Sequence, residues 1–193
     1  MEQTPPMQSA PTRESSLIDI LQFAIITTLI VIPIRFYIAQ PFVVNGASMD
    51  PTFENGQYLI VDEISYRFQK PARGDVIIFK FPLDPAKFLI KRIVGLPGET
   101  VSFKNDHIEI AKGTSTPVVL AEPYIVFESR EPNRVVTLKD NQYYVLGDNR
   151  PKSYDSRLWG PLEGKDIIGR PVLRLFPFGA IGIFPGTNNA RKN

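Results

Sequence analysis

Two residues of this chain, Ser48 and Lys91, are of types that together can hydrolyse an amide bond. Ser48 lies among small and turn-forming residues just after an apolar N-terminal segment, and Lys91 lies in a mostly apolar run that resembles a β-strand. The chain contains no cysteine and one histidine, His107, so thiolate nucleophiles are excluded and a histidine base has a single candidate. A serine activated by a desolvated lysine is the hydrolytic arrangement that this composition leaves open.

Both residues also have an ordinary structural interpretation. A lysine in a strand is commonly an edge residue that prevents sheets from pairing, and a serine after small residues is commonly a cap or turn residue. To act as a base Lys91 must be desolvated, because an unperturbed lysine is neutral in only about one molecule in a thousand at neutral pH. Strand alternation places Leu89, Lys91 and Ile93 on one face, which predicts aliphatic surroundings for the amine.

A dense polar cluster occupies residues 147–157, between a predicted strand and an apolar segment. Taken alone, it fits a solvated loop or a calcium-binding loop, although its aspartates are not spaced as in an EF-hand. A single histidine and no cysteine disfavour a zinc site made of protein ligands. A zinc site is therefore not expected from these residues, and the solvated loop and the calcium-binding loop remain alternatives for the cluster. We also expect His107, in a predicted hairpin outside this cluster, to be dispensable.

The N-terminal part of the chain divides into a polar tail and an apolar segment. Residues 1–16 are rich in Pro, Ser and Thr, which predicts a flexible tail. Residues 17–39 contain about 22 mostly apolar residues, about 33 Å as a helix, which is enough to span a bilayer. A cleaved signal peptide is disfavoured by the length of the segment and the lack of a small-x-small site. A buried helix of a soluble domain remains an alternative to the anchor.

The remainder of the chain, residues 40–193, alternates short apolar runs with turn residues. This pattern predicts a mainly β, mostly antiparallel domain with an irregular insertion at about residues 112–133. The predicted strands cover residues 58–61, 75–81, 88–94, 100–103, 107–110, 135–138, 143–146, 167–175 and 181–184.

Two further features concern possible partners. The formal net charge is +2, with both signs spread along the chain, which is not typical of nucleic-acid binding. The apolar run at residues 173–186 predicts either two core strands joined by a turn or an exposed patch. In the second interpretation Phe176 or Phe178, with the turn at residues 81–82, would touch a lipid surface.

Four blocks, at residues 41–53, 73–80, 90–99 and 147–160, carry a family resemblance in their order and spacing. The third contains Lys-Arg-x-x-Gly-x-Pro-Gly-Glu, and the fourth contains Gly-Asp-Asn-Arg-x-x-Ser-x-Asp-Ser-Arg. The chain resembles type I signal peptidases, membrane-bound Ser/Lys proteases that release exported proteins, from about residue 17 to residue 186. The resemblance implies an antiparallel β-sheet catalytic domain of the signal-peptidase type, preceded by one transmembrane helix, where some members have two.

The resemblance also implies roles for individual residues. Ser48 matches the nucleophile, Lys91 the general base, and Ser153 the serine that orients the lysine amine. Asp155 and Arg157 match an ion pair that holds this region in place, and Asp148 lies in the same block. The Ser/Lys mechanism that the resemblance implies needs no metal and no other cofactor.

Oxyanion and substrate contacts follow from the resemblance in the same way. The family uses the backbone N–H of the nucleophile, and some members add a hydroxyl two residues before it. That position is Gly46 here, so the side-chain donor is missing. The positions that match the substrate pockets, which admit small side chains and hence Ala-x-Ala-like sites, are Phe42, Val44, Met49, Phe53, Leu89 and Ile90.

The implied partners are exported preproteins, the lipid bilayer and, by proximity, the secretion translocon. The implied location is single-pass, with the tail in the cytoplasm and the catalytic domain outside it, in a plasma membrane or a thylakoid; the charges near the anchor give no orientation. One alternative is a related Ser/Lys peptidase with a narrower task, of the mitochondrial inner-membrane or pilus-processing type. A self-cleaving repressor is disfavoured by the anchor and the lack of a DNA-binding motif. Another alternative is a non-catalytic, membrane-tethered β module that binds signal sequences.

Overall fold

The computed structural model describes residues 13–33, 39–104, 107–127 and 132–187. The chain separates into two compact units, Met1–Tyr37 and Ile38–Asn193. The first unit contains helix α1, Arg13–Pro33, whose residues 17–31 are all exposed. Within the described ranges, no helix is both long and apolar enough to cross a membrane. Of the predicted tail and anchor, residues 1–12 and 34–38 lie outside the described residues.

In its described residues, the second unit contains twelve strands and two α-helical turns, besides three 3₁₀ turns. In the main sheet the strands follow the order β1-β2-β11-β3-β4-β9-β10, with β12 beside β11, and a smaller sheet has the order β7-β6-β5-β8. All the strand pairs are antiparallel, which confirms the predicted mainly β, antiparallel fold. The strands are β1 (Ala39–Val43), β2 (Tyr58–Asp62), β3 (Val76–Phe81), β4 (Asp84–Gly95), β5 (Glu99–Lys104), β6 (His107–Lys112), β7 (Val118–Val119), β8 (Arg134–Thr137), β9 (Gln142–Leu146), β10 (Leu162–Glu163), β11 (Ile167–Phe176) and β12 (Gly182–Ile183). The helical turns are α2 (Ser65–Phe68) and α3 (Ser156–Trp159).

Each of the nine strands expected from the sequence is present, with ends that differ by a few residues. Strands β1, β7 and β10 were not expected. Strand β1 contains Pro41 and lies at the edge of the main sheet, where proline is tolerated because it has no N–H to donate. Strands β7 and β10 have two residues each, too few for an alternation pattern. The predicted insertion at about residues 112–133 contains β7 and a bridge between Phe127 and Asn149.

Three hydrophobic clusters hold the second unit together. One packs β2, β3 and Ile90 of β4 against the loop that follows β1. Another lies on the other side of β3 and β4 and includes residues of β9. The third lies between the smaller sheet and β9. Strand β4 contributes to all three clusters, so its residues between Ile90 and Gly95 are buried on both faces.

The apolar run at residues 173–186 forms the predicted pair of strands without burying its side chains. Strand β11 pairs with β12 through Leu173 and Ile183. Phe176, Phe178 and Ile183 are nevertheless 44%, 80% and 76% exposed. The strands are present, but their aromatic and aliphatic side chains form surface rather than core.

Candidate active site

The loop between β1 and β2 positions Ser48. Backbone hydrogen bonds close the loop at its base, from the N–H of Val44 to the carbonyl of Gln57 (2.9 Å). Met49 and Phe53 are 1% and 0% exposed, so the residues after Ser48 are anchored in the core. These contacts hold the turn that carries Ser48 against the core and leave Ser48 partly accessible.

Strand β4 positions Lys91 in the interior of the main sheet. Lys91 pairs with Ile77 of β3, and the next residue, Arg92, pairs with Leu146 of β9. Lys91 is 3% exposed. Because β4 has neighbours on both sides at this point, Lys91 is not the edge-strand lysine of the ordinary interpretation.

The two side chains are in direct contact. The Nζ of Lys91 donates a hydrogen bond to the Oγ of Ser48 (2.8 Å) and another to the carbonyl of Ile90 (2.8 Å). Burial lowers the pKa of Lys91 to about 8, although Asp155 and Asp148 act in the opposite direction. The amine is therefore far easier to deprotonate than a solvated lysine, and it is hydrogen-bonded to the hydroxyl whose proton it would accept.

Asp148 forms a buried ion pair with Arg92, the residue after Lys91. The Nε and Nη2 atoms of Arg92 donate to the two carboxylate oxygens of Asp148 at 2.8 and 2.6 Å. Neither side chain is exposed. Thr52 donates its hydroxyl to Asp148 (2.6 Å), which ties the Ser48 loop to the same carboxylate. The pair thus joins β4, the polar cluster and the nucleophile loop.

Asp155 holds the other end of the polar cluster. Its carboxylate accepts two hydrogen bonds from the Arg157 guanidinium, from Nε (2.8 Å) and Nη2 (2.9 Å). It also accepts one from the N–H of Gly147 (3.0 Å). The carboxylates of Asp148 and Asp155 therefore each face an arginine, an arrangement unlike that of a calcium-binding loop.

Ser153 lies next to the nucleophile loop. A side chain at Gly147 would collide with the Oγ of Ser153 and the carbonyl of Ser48, so both residues pack against the same glycine. The Oγ of Ser153 is buried and has no hydrogen-bond partner among the residues that the structure describes. The expected hydrogen bond between Ser153 and the amine of Lys91 is thus not formed in this conformation.

The backbone around the nucleophile offers a candidate donor for an oxyanion. The N–H of Gly46 donates to the side-chain oxygen of Asn55 (2.8 Å), and Gly46 has φ +93°, a conformation that favours glycine. The N–H of Ser48 itself makes no hydrogen bond to the described part of the chain. It remains available to an oxyanion.

A cleft of about 510 Å³ opens over Ser48 and Lys91. One wall comes from β1 and the nucleophile loop, and another from the first half of β4. Phe42 and Phe88 meet across it edge to face, with ring centroids 5.8 Å apart. The cleft is lined by Phe42, Val43, Asn45, Gly46, Ala47, Ser48, Lys87, Phe88, Leu89, Ile90, Lys91, Lys152 and Tyr154.

The structure separates the expected pocket residues into two groups. Phe42, Leu89 and Ile90 line the cleft. Val44, Met49 and Phe53 belong to the hydrophobic core and are at most 2% exposed. The sequence expectation did not include Phe88 and Tyr154, which lie close in sequence to matched residues and are 45% and 51% exposed.

His107 lies away from the expected site, and three residues near that site were not predicted from the sequence. His107 is an exposed residue at the start of β6 in the smaller sheet and is not among the residues that line the cleft. The buried role of Arg92 was not anticipated; its signal was a charged residue in an apolar strand, which needs a partner when buried. Glu122, which contacts Arg150, and Tyr124, which contacts Arg92, could not be identified from the sequence.

Comparison with known proteins places this geometry in context. The sequence profile of the family described as "Signal peptidase, peptidase S26" matches residues 17–176. A probable signal peptidase I-1 of Synechocystis sp. is 36% identical over 177 residues, covering 86% of each chain. Signal peptidase I of Leptolyngbya laminosa is 36% identical over 191 residues, covering 93% of this chain and 91% of the relative. A crystal structure of a signal peptidase I from Enterococcus faecalis is 32% identical, covers 53% of this chain and 97% of its own, and has a TM-score of 0.46.

Proposed function

The chain belongs to the signal peptidase family, peptidase S26, as a signal peptidase I that removes signal peptides, and we propose that Ser48 is its nucleophile and Lys91 its general base. The observation that supports this assignment most directly is the 2.8 Å hydrogen bond between the Lys91 amine and the Ser48 hydroxyl. The lysine in this pair is buried and has a lowered pKa. Those are the properties that a lysine needs to accept a proton near neutral pH.

The proposed reaction proceeds through an acyl-enzyme. Neutral Lys91 takes the hydroxyl proton as Ser48 attacks the carbonyl carbon of the scissile bond, and a tetrahedral intermediate forms. Lys91 then gives that proton to the leaving amine, and the C–N bond breaks. A water molecule, deprotonated by Lys91, then attacks the carbonyl carbon of the acyl ester. The ester C–O bond breaks, Lys91 returns the proton to the Ser48 oxygen, and the carboxyl product leaves.

A backbone N–H, a serine and an ion pair are proposed to support this dyad. The N–H of Ser48 donates to the oxyanion, which is the stage at which a preorganised donor contributes most. Ser153, with its buried and unpartnered hydroxyl beside the nucleophile loop, orients the lysine amine when substrate is bound. Asp155 with Arg157 fixes the segment that carries Ser153.

The substrate is proposed to bind as an extended strand. Strand β1 has a neighbour on one side only, and the residues of β4 before Lys91 pair with β3 but not with β9. These two edges flank the cleft, so a peptide laid between them would hydrogen-bond along its backbone. Phe42, Leu89 and Ile90 line the cleft, and we propose that they favour small side chains and hence cleavage of exported preproteins at Ala-x-Ala-like sites.

Cleavage of a purified preprotein in detergent tests this assignment. The wild-type chain should release the mature protein with a new N-terminus at one bond, and Ser48→Ala should not. A non-catalytic module that only binds signal sequences would release nothing from either form. Loss of activity in Ser48→Ala therefore separates the enzyme from that alternative.

The pH dependence of the reaction should report the Lys91 amine. Because the neutral amine is the active form and its pKa is about 8, kcat/KM should rise with pH and reach half its maximum near that value. Below it, activity should fall about tenfold per pH unit. Initial rates on one peptide between about pH 6 and about pH 10 measure this limb. A rate that stays constant down to the acidic end of this range would contradict a lysine base.

We further propose that the enzyme works at a membrane, in the bacterial plasma membrane or a thylakoid, anchored by residues 17–39 with residues 1–16 in the cytoplasm. A cleft for signal peptides then faces the far side of the bilayer, close to the translocon. The second unit carries an aromatic patch, formed by Tyr58, Phe176 and Phe178, that supports contact with lipid. Phe176 lies 5.9 Å from Tyr58 and 5.7 Å from Phe178, measured between ring centroids. Phe81, in contrast, packs against Tyr154 and Trp159 and does not join this patch.

A form lacking residues 1–37 should bind lipid vesicles through the aromatic patch. Inserting a phenylalanine side chain into an apolar phase contributes about 1.5–3 kcal/mol when it is fully buried. Phe176→Ser with Phe178→Ser should therefore reduce vesicle binding at least about tenfold, while Phe68→Ser, at an equally exposed site on α2, should not. Vesicle co-sedimentation measures the effect. If the shortened enzyme is fully active in plain buffer and does not sediment with vesicles, the patch has no role in lipid contact.

A further inference from the structure

The segment between β7 and β8, which the sequence presents only as an irregular insertion, contacts the buried arginines beneath the dyad. Tyr124 stacks on Arg92, with the guanidinium carbon 4.0 Å from the ring centroid. Arg92 is the residue after Lys91 and holds Asp148. The aromatic ring therefore covers the face of an ion pair that is itself adjacent to the general base.

The neighbouring acid, Glu122, contacts a second arginine of the polar cluster. Glu122 forms an ion pair with Arg150, which is 9% exposed. Arg150 in turn donates from Nε to the carbonyl of Gly147 (3.1 Å), the glycine against which Ser48 and Ser153 pack. Through Arg150, Glu122 thus acts on the same short segment that Asp155 contacts at the N–H of Gly147.

The two side chains are also bonded to each other. The hydroxyl of Tyr124 donates to Glu122 (2.9 Å). Burial and the adjacent carboxylate raise the pKa of Tyr124, so the phenol stays protonated and keeps this donor. We refer to Glu122 and Tyr124 together as the Glu122–Tyr124 clamp.

We propose that the Glu122–Tyr124 clamp is a positioning element for catalysis, which holds Arg92 and Arg150 so that the dyad stays dry and aligned. The proposal rests on the proposed roles of Ser48 and Lys91. Tyr124 excludes water from the Arg92–Asp148 pair, and Glu122 fixes Arg150 and through it Gly147. Neither residue lines the cleft, so each acts through the arginine it contacts rather than on the substrate.

Loss of the Glu122–Tyr124 clamp should change the pKa of Lys91 in a direction that can be measured. If the ring is removed, water reaches Arg92 and the desolvation of the neighbouring amine decreases. Asp148 also becomes less completely neutralised by Arg92. Both changes favour the charged form of Lys91 and raise its pKa. The charged groups near the amine, on its own strand, in the polar cluster and along the cleft, are Lys87, Arg92, Asp148, Lys152 and Asp155.

The test compares Tyr124→Leu, Tyr124→Phe and Glu122→Gln in the full chain, with detergent and a fixed preprotein substrate. Tyr124→Leu should lower kcat about 10–100-fold, as for other groups that orient a catalytic residue, with KM changed less than about twofold. The acid limb of its pH–rate profile should move to higher pH. Tyr124→Phe keeps the ring on Arg92, so it should retain most of the wild-type kcat and leave the acid limb of the pH–rate profile where it is in the wild type.

Two comparisons separate positioning from stability. Phe103→Leu removes a ring from the core under the smaller sheet and should lower the melting temperature without moving the acid limb. If it produces the same loss of kcat and the same shift as Tyr124→Leu, the clamp acts only on stability. If Tyr124→Leu does not fold, Glu122→Gln decides, since it should still lower kcat about 3–10-fold and an unchanged kcat overturns the proposal.

The proposal for the clamp and the proposal for the dyad can be rejected independently of each other. Retention of wild-type kcat and pH limb in Tyr124→Leu, while Ser48→Ala is inactive, overturns the clamp and leaves the dyad intact. Activity in Ser48→Ala overturns the dyad itself.

Discussion

Replacing Ser48 with alanine, or Lys91 with alanine or arginine, is expected to abolish preprotein cleavage, with kcat at least about 10⁴-fold lower. Ser48→Ala removes the nucleophile, and Lys91→Ala removes the base that is hydrogen-bonded to it. Lys91→Arg keeps the charge but cannot accept a proton, because an arginine side chain stays protonated at all accessible pH values. Single-turnover cleavage assays at high enzyme concentration measure the residual rates.

The double variant tests whether Ser48 and Lys91 act in the same step. Because a nucleophile and its base act as one unit, Ser48→Ala with Lys91→Ala should be barely slower than either single variant. Additive losses would indicate that the two residues contribute to different steps. Ser102→Ala and Lys139→Arg, on β5 and in the turn before β9, are matched controls that should keep wild-type rates. Cleavage by Lys91→Arg at an appreciable rate would rule out Lys91 as the base.

Most of the β-strands could be predicted from the sequence because they follow a local pattern, and Ser48 and Lys91 were singled out because the chain resembles a family that uses a serine and a lysine. Alternation of apolar and polar residues is a property of a single strand, and it located nine strands whose partners were still unknown. Ser48 and Lys91 were identified from blocks of short, specific spacing. Lys91 carried a second signal, since it and Arg92 are the only charged residues in a run of apolar residues between Phe88 and Val94, and the sheet buries Lys91 to 3% exposure.

The residues around the dyad could not be predicted in the same way, because their positions depend on contacts between distant segments. Val44, Met49 and Phe53 were expected in the cleft and lie in the core. The loop after β1 reverses direction, so the two-residue alternation that orients strand side chains does not apply there. Arg92 and Asp148 are 56 positions apart, and nothing local in either segment indicates the partner.

The position of Tyr124 also depends on a contact with a distant segment and could not be predicted from the local sequence. It lies in a segment with no periodic pattern, which favours an interpretation as an exposed loop. Its side chain is placed by two contacts, to Arg92 and Glu122, and only one of these is close in sequence. A segment without regular secondary structure can therefore still be fixed against the catalytic region by a few polar and aromatic contacts.

The second large effect is expected for stability rather than catalysis, in Asp148→Ala. This change leaves the Arg92 guanidinium, which has no exposed surface, buried without its counter-ion. Removing one partner of a buried ion pair costs about 3–5 kcal/mol of unfolding free energy. For a chain of this size we expect the melting temperature to fall by about 10 °C. Thermal unfolding followed by circular dichroism measures the change.

Three comparisons identify the stranded charge as the cause of that loss. Asp140→Ala removes an exposed aspartate and should change stability by less than about 0.5 kcal/mol. Asp148→Asn keeps an oxygen that accepts from Arg92 and Thr52, so its loss should be smaller than that of Asp148→Ala. The double variant Arg92→Met with Asp148→Leu removes both charges and should recover much of the stability, since an apolar pair has no desolvation cost. An unchanged melting temperature in Asp148→Ala would mean that water reaches Arg92 in solution, and a double variant no more stable than Asp148→Ala would mean that packing, not charge, dominates here.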